Sequence, residues 1–220
     1  MIKTLKIALD GPSGSGKSTI AKRLSKELDI LYLDTGAMYR ATALKALKLN
    51  VDTLDETGVL GFINDLDLNI KYENGSQQTY LDGENVSEKI REPQVSMAAS
   101  NISSLKCVRL KMVEMQRKIA ESVSCVLDGR DIGSFVLPNA DFKFYITASV
   151  DVRAERRFKE LKEKGFNVDF NSLKKEIEER DYNDSHREFA PLVKAKDAIL
   201  IDTSNMNIEQ VVACVMSHIK

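Results

Sequence analysis

The feature that most constrains the fold of this chain is the segment from Gly11 to Ser18, with the sequence GPSGSGKS. It follows an apolar run, Ile7–Leu9, and precedes a stretch with helical periodicity, Thr19–Leu28. Strand, glycine-rich turn and helix form the context in which the pattern G-x-x-x-x-G-K-[ST] binds phosphate groups. The glycines let several backbone N–H groups converge on an anion, and the helix adds the positive end of its dipole. This segment, called the phosphate loop below, therefore predicts binding of a nucleoside triphosphate.

Two side chains of the phosphate loop have predicted roles of their own. Lys17 would place an ammonium group beside the β and γ phosphates, and Ser18 would offer its hydroxyl to Mg²⁺ bound with the triphosphate. The alternative is a chance glycine turn before a helix, which the sequence context disfavours. The expected contacts to ATP are Gly11, Pro12, Ser13, Gly14, Ser15, Gly16, Lys17, Ser18 and Thr19.

Composition limits the remaining possibilities. The chain has 220 residues, 43% of them hydrophobic and 30% charged, which fits one large domain or a core with an insertion. The net charge of −1 provides no overall field that would attract nucleic acid or an anionic membrane. Three well-separated cysteines, Cys107, Cys125 and Cys214, predict neither a metal site nor a disulfide framework. Met1–Lys6 leads directly into the first strand and no apolar run approaches membrane-spanning length, so we expect a cytoplasmic protein.

Short apolar strands alternate with helical patterns along most of the chain, which predicts a parallel sheet covered on both faces. The predicted strands are 5–9, 30–33, 123–127, 142–147 and 198–201; the predicted helices are 17–28, 37–49, a weak one within 51–66, 95–122, 151–163, one from about 172 past 180, and 208–219. Ligands of such sheets lie at the carboxyl ends of the strands. Three strands end in polar clusters, Asp10-Gly11, Asp34–Gly36 and Asp128–Asp131, and we expect these clusters to converge on the phosphate loop.

One stretch departs from the strand–helix alternation. Leu68–Tyr72 and Gln78–Leu81 alternate apolar and polar residues, with turn signals at Glu73–Ser76 and Asp82-Gly83. This pattern predicts a small antiparallel β insertion.

Arginines interrupt several stripes that are otherwise apolar. Arg40 shares a stripe with Leu44 and Leu47, and Arg109 lies beside Leu105 and Met112. A third stripe begins apolar and becomes ionic; it comprises Leu173, Ile177, Arg180, Asp184 and Arg187. Inward arginines need an anionic partner or a wet cleft, so these predict an anion site, with structural ion pairs such as Arg180–Asp184 as the alternative.

Two further features carry alternatives of the same kind. Asp131 could hold Mg²⁺-bound water or accept a hydrogen bond from a substrate donor; the alternative is a helix N-cap or a loop charge. Arg153, Arg156 and Arg157 share a helix face and could neutralise a transferring phosphoryl group. The alternative for these three is a solvated face paired with Glu155, Glu160 and Glu163.

Together these residues resemble the bacterial-type cytidylate kinases, a group of nucleoside monophosphate kinases. The matching segments follow the order of that family and cover nearly the whole chain, so they are more specific than the phosphate loop alone. They are Asp10–Thr19, Leu33–Arg40, Val86–Arg91, Ala98–Ser100, Asp128–Gly133, Lys164–Phe166, Glu179–Asp181 and Ala190–Leu192.

The resemblance implies an α/β fold of the P-loop NTPase type, with a five-stranded parallel sheet flanked by helices. It implies one kinase domain over residues 1–220, a monophosphate-binding β insertion at about 64–92 and a helical lid at about 151–168. It also implies Mg²⁺-dependent transfer of the γ-phosphoryl group of ATP to CMP or dCMP. We expect a monomer that binds neither nucleic acid nor membranes.

Matched position by position, the resemblance also implies residue roles. CMP would be bound by Thr35, Tyr39, Arg40, Ser100, Arg109, Arg130, Asp131, Asp184 and Arg187. Catalysis would depend on Lys17, Arg130, Asp131 and Arg180, with the lid arginines Arg153, Arg156 and Arg157 around the transferring group. A carboxylate such as Asp131 accepts from the amino group of cytosine but would face the carbonyl of uracil unfavourably.

Two other functions stay open at this stage. One is a kinase of another small acceptor such as UMP, against which the combination of Asp131 and Arg109 argues. The other is a non-enzymatic P-loop nucleotide switch, although the chain has no N-K-x-D motif for guanine and no additional domain to regulate.

Overall fold

The computed structural model describes residues 4–73 and 75–219. Met1–Lys3, where the sequence predicted a direct entry into the first strand, and Asn74, within a predicted turn, lie outside the described residues. The elements are β1 (Lys6–Asp10), α1 (Lys17–Leu28), β2 (Leu31–Asp34), α2 (Thr35–Lys48), α3 (Glu56–Ile63), β3 (Leu68–Glu73), β4 (Ser76–Leu81), β5 (Glu84–Asn85), α4 (Pro93–Ile102), α5 (Lys106–Glu121), β6 (Cys125–Gly129), β7 (Phe142–Thr147), α6 (Val150–Glu163), α7 (Phe170–His186), β8 (Ile199–Asp202) and α8 (Ile208–Ile219). Short helical turns cover Lys89–Arg91 and Ile132–Val136.

The chain divides into two units, which are described separately. Unit 1 comprises Met1–Tyr32 and Val123–Lys220, and unit 2 comprises Leu33–Ser122.

The predicted parallel sheet is confirmed. Its strand order is β2-β6-β1-β7-β8, and β1 pairs in parallel with both β6 and β7. The central strands are apolar runs because both of their faces are covered: Ile7, Ala8 and Leu9 are fully buried. In unit 1, α1 and α8 cover one face through Leu24 and Val215. The carboxyl ends of β1 and β6 lie side by side, since Asp10 is in register with Gly129.

Helices α6 and α7 of unit 1 form a second apolar cluster, made of Ala154, Leu161, Leu173 and Ile177. Both begin with a side-chain cap. Ser149 accepts a hydrogen bond from the N–H of Val152, and Asp169 accepts from that of Ser172. The caps and the apolar cluster together fix the course of the segment in which a lid was predicted.

Unit 2 contains the predicted antiparallel insertion as a three-stranded sheet of order β3-β4-β5. Leu68 pairs with Leu81 and both are buried, so this apolar pair sets the register. Ion pairs from Lys45 to Asp82 and from Lys48 to Glu84, both at 2.7 Å, fasten this sheet to α2.

The sequence placed α1, β7 and α8 at the observed bounds, and its weak helical pattern over 51–66 contains α3, but it gave no sign of a break within 95–122. The stretch 95–122, predicted as mostly helical, is helical in α4 and α5, which are separate because Leu105 adopts an extended conformation (ψ 125°) between them. Within 51–66 only α3 is helical; it begins where Asp55 accepts from the N–H of Thr57. Among the described residues, none of the helices combines the length and the apolar character that crossing a membrane requires.

Candidate active site

The phosphate loop of unit 1 connects β1 to α1, as predicted, and its backbone requires glycine. Gly11, Gly14 and Gly16 have φ values of +146°, +74° and +93°, which side chains disfavour. A Cβ on Gly11 would lie 1.9 Å from the backbone oxygen of Ile146, and one on Gly14 would lie 3.2 Å from Arg153 Cβ. The loop therefore passes against β7 and α6 too closely for any larger residue at Gly11.

Lys17 lies inside this loop and is only 5% exposed. Its Nζ donates to the backbone oxygen of Pro12 at 2.6 Å and to Ser15 Oγ at 3.2 Å. Burial, followed by the nearby Arg130, lowers the pKa of Lys17 well below its usual value, against the opposing effect of Asp128 and other carboxylates. A polyphosphate bound in the loop would reverse this shift, because an adjacent anion favours the charged ammonium.

Ser18 and Asp128 form an oxygen pair beside the loop. Ser18 Oγ donates to Asp128 Oδ2 at 2.7 Å, and the hydroxyl of Tyr32 donates to Asp128 Oδ1 at 2.9 Å. Asp128 is buried at the end of β6. A hydroxyl and a carboxylate are the hard oxygen ligands that Mg²⁺ prefers, so the pair fits a magnesium ion. Within residues 4–73 and 75–219, no group of three or more His, Cys, Asp and Glu side chains could hold a metal ion by itself.

A charged network follows β6 in unit 1. Arg130 Nε donates to Asp184 Oδ2 at 2.8 Å, while Arg187 lies 3.6 Å from both Asp184 Oδ1 and Asp131 Oδ1. Burial acts to raise the pKa of Asp184, but Arg130, Arg180 and Arg187 outweigh it and hold that pKa below its ordinary value. The structure thus brings together five residues that the sequence singled out, and Asp184 stays ionised among them.

Asp131 does not cap a helix through its side chain, so the helix N-cap alternative from the sequence is wrong. It precedes the turn Ile132–Val136, yet its carboxylate makes no capping hydrogen bond there. It is 4% exposed, with Arg187 as an ionic neighbour.

The three arginines of α6 have different surroundings. Arg153 is 3% exposed and donates to the backbone oxygens of Ala148 (2.9 Å) and Ser13 (3.1 Å), and it pairs with Asp181 at 2.6 Å. Arg156 donates to the Thr203 hydroxyl at 3.1 Å and to its backbone oxygen at 2.8 Å. Arg157 pairs with Glu160 at 2.7 Å. Glu160 is one of the partners expected if these arginines belong to a solvated helix face.

Unit 2 contains the other candidate residues, grouped around the start of α2. Asp34 Oδ1 caps α2 by accepting from the N–H of Ala37 (2.8 Å), and its Oδ2 accepts from Arg40 Nη2 (2.9 Å). Burial opposes ionisation of Asp34, yet Arg40 and the capping bond lower the pKa of Asp34. Arg109 lies 5.4 Å above the ring of Tyr39.

The predicted inward orientation is confirmed for Arg109, while the Arg40 side chain is partly exposed. Arg109 is 1% exposed, although it is one of the largest side chains, and its Nη1 donates to the backbone oxygen of Ser103 at 3.2 Å. Thr35 is buried and Ser100 is half-buried. A Cβ on Gly36 would lie 2.9 Å from Arg40 Nη1, so this glycine leaves room for the guanidinium.

A family model described as "Cytidylate kinase" matches residues 7–220. The chain belongs to the cytidylate kinase family. The matched residues belong to both units and include every candidate residue described above.

Curated members of the family are similar over nearly their whole length. The chain is 49% identical over 215 residues to the cytidylate kinase of Caldicellulosiruptor bescii, which covers 98% of this chain and 95% of the relative. It is 50% identical over 215 residues to that of Clostridioides difficile, with 98% of both chains covered. The cytidylate kinase of Enterococcus faecalis is 48% identical over 216 residues, covering 98% of this chain and 96% of the relative.

Solved structures with this fold are more distant. The crystal structure of an uncharacterized protein from Eubacterium ventriosum has a TM-score of 0.54 at 16% identity, with 98% of each chain covered. Shikimate kinase from Acinetobacter baumannii has a TM-score of 0.50 at 13% identity, covering 99% of this chain and 93% of the other. These similarities support the P-loop kinase fold.

Sequence reasoning overlooked two carboxylates of unit 1. Asp128 appeared only as part of a polar cluster, although its position at a strand end beside the phosphate loop could have marked it as the partner of Ser18. Asp10 also ends a strand, but its contacts are with residues 132 and 133, which the sequence gives no means to locate.

Proposed function

We propose that this chain is a cytidylate kinase, which transfers the γ-phosphoryl group of ATP to CMP or dCMP and releases ADP and CDP or dCDP. The observation that carries the proposal is membership of the family over residues 7–220, joined to a formed phosphate loop with Lys17 inside it. A cytoplasmic location and a monomeric state stay predictions from the sequence.

The phosphate loop would bind the donor. The backbone of residues 11–19 would surround the β-phosphate, and Lys17 would exchange its bonds to Pro12 and Ser15 for phosphate oxygens. Arg153 already donates to the backbone oxygen of Ser13, so α6 and the loop would respond together when ATP binds.

Ser18 and Asp128 would hold the Mg²⁺ that accompanies ATP, directly or through water. When bound, this ion supplies positive charge that offsets the charge of the phosphate oxygens during transfer. The remaining ligands would come from the triphosphate and water, because Mg²⁺ takes six oxygens and keeps several waters.

Candidate residues for the acceptor are assigned in each unit separately, each on its own chemistry. In unit 2, the Arg40 guanidinium and the Thr35 hydroxyl suit the phosphate of CMP. The Tyr39 ring lies beneath the Arg109 guanidinium and stabilises its charge. Arg109 and Ser100 would donate to the cytosine acceptors, N3 and O2.

In unit 1, Asp131 would accept from the cytosine amino group. Its carboxylate is buried beside Arg187, and it would meet an amino donor on cytosine but a carbonyl oxygen on uracil. Asp184 and Arg187 would bind the ribose hydroxyls, and Arg130 would contact the acceptor phosphate.

Catalysis would consist of positioning and charge neutralisation. The phosphate of CMP is already an anionic nucleophile, so no side chain has to remove a proton from it. Lys17, Arg130 and Arg180 would carry the charge of the transferring group, with Arg156 and Arg157 as further candidates. Arg153 is the least available of the lid arginines, because three protein partners already occupy it.

A panel of acceptors tests this function. ADP release is measured with Mg²⁺–ATP and CMP, dCMP, UMP or AMP, with a no-acceptor control for ATP hydrolysis. We expect rapid ADP release with CMP or dCMP, and kcat/KM at least about 10-fold lower with UMP, since the Asp131 carboxylate would then face the uracil carbonyl oxygen in place of the cytosine amino group. Preference for UMP would favour the kinase of another acceptor, and ATP binding without ADP release would favour the switch.

A further inference from the structure

Asp10 is the last residue of β1 and is 4% exposed, yet the roles described above make no use of it. Both of its carboxylate oxygens accept backbone hydrogen bonds. Oδ1 accepts from the N–H of Ile132 and Oδ2 from the N–H of Gly133, each at 2.7 Å. A single side chain thus holds a segment that lies more than a hundred residues further along the chain.

These two bonds cap the helical turn Ile132–Val136. The N–H of Val136 donates to the backbone oxygen of Asp131 and that of Leu137 to the backbone oxygen of Ile132, so the first N–H groups of the turn have no acceptor within it. The residue before a helix commonly supplies that acceptor from its side chain. Asp131 occupies this position but makes no such bond, because Asp10 supplies both acceptors instead.

The arrangement leaves the carboxylate of Asp131 with Arg187 rather than with the helix terminus. It is also sterically tight. A Cβ on Gly133 would lie 3.3 Å from Asp10 Oδ2 and 3.1 Å from Lys143 Cδ, so the Gly133 backbone fits closely between β1 and β7 side chains. The direction of Asp131 is therefore set by how Asp10 holds the two residues that follow it.

The surroundings of Asp10 oppose the ionisation of its carboxyl group. A neutral side chain at this position would cap the turn without that penalty. Burial, and then the neighbouring Asp131, act to raise the pKa of Asp10 to about 7, against the two backbone bonds and Lys17. Two buried carboxylates lie near each other here although a neutral acceptor could satisfy one N–H equally well.

We infer that Asp10 is a positioning residue for acceptor specificity: by capping the turn Ile132–Val136, it directs the Asp131 carboxylate toward the acceptor base. This inference rests on the proposed function, in which Asp131 recognises the amino group of cytosine. Asp10 itself contacts no substrate.

The test is a double-mutant cycle with Asp10→Asn and Asp131→Ala. Asparagine keeps the volume of Asp10 but retains one acceptor oxygen, so one of the two backbone bonds is lost. We expect the CMP/UMP ratio of kcat/KM to fall about 10-fold in Asp10→Asn, the usual size for one buried hydrogen bond, while KM for ATP changes less than about twofold. In the Asp131→Ala background the same substitution should leave the ratio unchanged.

Asp141→Asn is the matched control. Asp141 also uses its carboxylate to accept a backbone N–H, that of Lys6 at 2.9 Å, but at the opposite end of β1. We expect Asp141→Asn to lower the melting temperature, because a backbone hydrogen bond is weakened or lost, and to leave the CMP/UMP ratio of kcat/KM at the wild-type value. Gly133→Ala provides a second route, because its methyl group would press on Asp10 Oδ2; it should lower the ratio in the same direction even if Asp10→Asn folds poorly.

An unchanged CMP/UMP ratio in both Asp10→Asn and Gly133→Ala would overturn the inference. So would an equal fall in the wild-type and Asp131→Ala backgrounds, since Asp10 would then act independently of Asp131. Failure of the proposed function has a different signature, namely a wild-type enzyme that does not phosphorylate CMP at all.

Discussion

Replacing Gly11 by alanine is the sharpest perturbation of the phosphate loop. The new Cβ would lie 1.9 Å from the backbone oxygen of Ile146, a buried residue near the carboxyl end of β7, and the φ of +146° is itself unfavourable for a side chain. The backbone oxygen cannot move without the rest of β7, which is paired on both sides within the sheet. The loop and β7 must therefore separate by at least about 1 Å to bring this contact to an allowed distance.

The magnitude follows from these two effects. Backbone strain of this kind costs about 1–3 kcal/mol and overpacking about 1–3 kcal/mol more, so the free energy of unfolding should fall by about 2–6 kcal/mol. For a chain of this size that is a decrease of roughly 4–24 °C in melting temperature. A 1 Å displacement of the catalytic loop should lower kcat by about 100-fold.

Gly83→Ala is the control for this prediction. Gly83 also has a positive φ, +79°, but an added Cβ would meet nothing within 4 Å. It should lose about 1 kcal/mol of stability from backbone strain alone and keep kcat within about twofold. Thermal unfolding and steady-state ADP release, measured for both variants under the same conditions, give the comparison. A Gly11→Ala enzyme with wild-type melting temperature and kcat would refute the reasoning.

Three further predictions concern charged groups. Ser18→Ala should raise the Mg²⁺ concentration for half-maximal rate about 10-fold or more, measured by Mg²⁺ titration at saturating ATP; no shift would remove Ser18 from the magnesium site. Asp184→Asn should destabilise the protein by about 3–5 kcal/mol in urea unfolding at pH 7, because Arg130 loses a buried partner, and a loss below 1 kcal/mol would contradict this. Since the raised pKa of Asp10, about 7, makes the folded protein bind more protons than the unfolded chain, the free energy of unfolding should fall as the pH rises from about 4 to 7. Asp10→Asn should flatten that fall, and an identical pH profile would count against the shift.

The sequence predicted the sheet well because its signals are local and agree with one another. Apolar runs such as Ile7–Leu9 are buried on both faces, and the helix from Lys17 to Leu28 begins and ends where the phosphate loop and the amphipathic pattern place it. Helix boundaries that depend on a single backbone angle were harder to predict. The break before α5 depends on Leu105, an apolar residue with no turn signature.

The residues of the candidate site also differ in how well the sequence could identify them. Arg109 and Asp184 were recognisable because a charged residue on an apolar stripe must find a partner, and both are buried. What Arg153 contacts was not recognisable, because its charge pattern equally suits a solvated helix face. Its bonds to Ser13 and Asp181 depend on how distant segments pack, as does the hold of Asp10 on residues 132 and 133.

Following the label of [γ-³²P]ATP shows whether a phosphoryl group passes from ATP to CMP. The purified chain is incubated with Mg²⁺, labelled ATP and CMP, and the products are separated by chromatography. We expect the label to appear in CDP in the same amount as ADP forms, and Lys17→Ala to lower this rate about 100-fold or more. Label that appears only in inorganic phosphate, or in UDP as readily as in CDP when UMP replaces CMP, would contradict it.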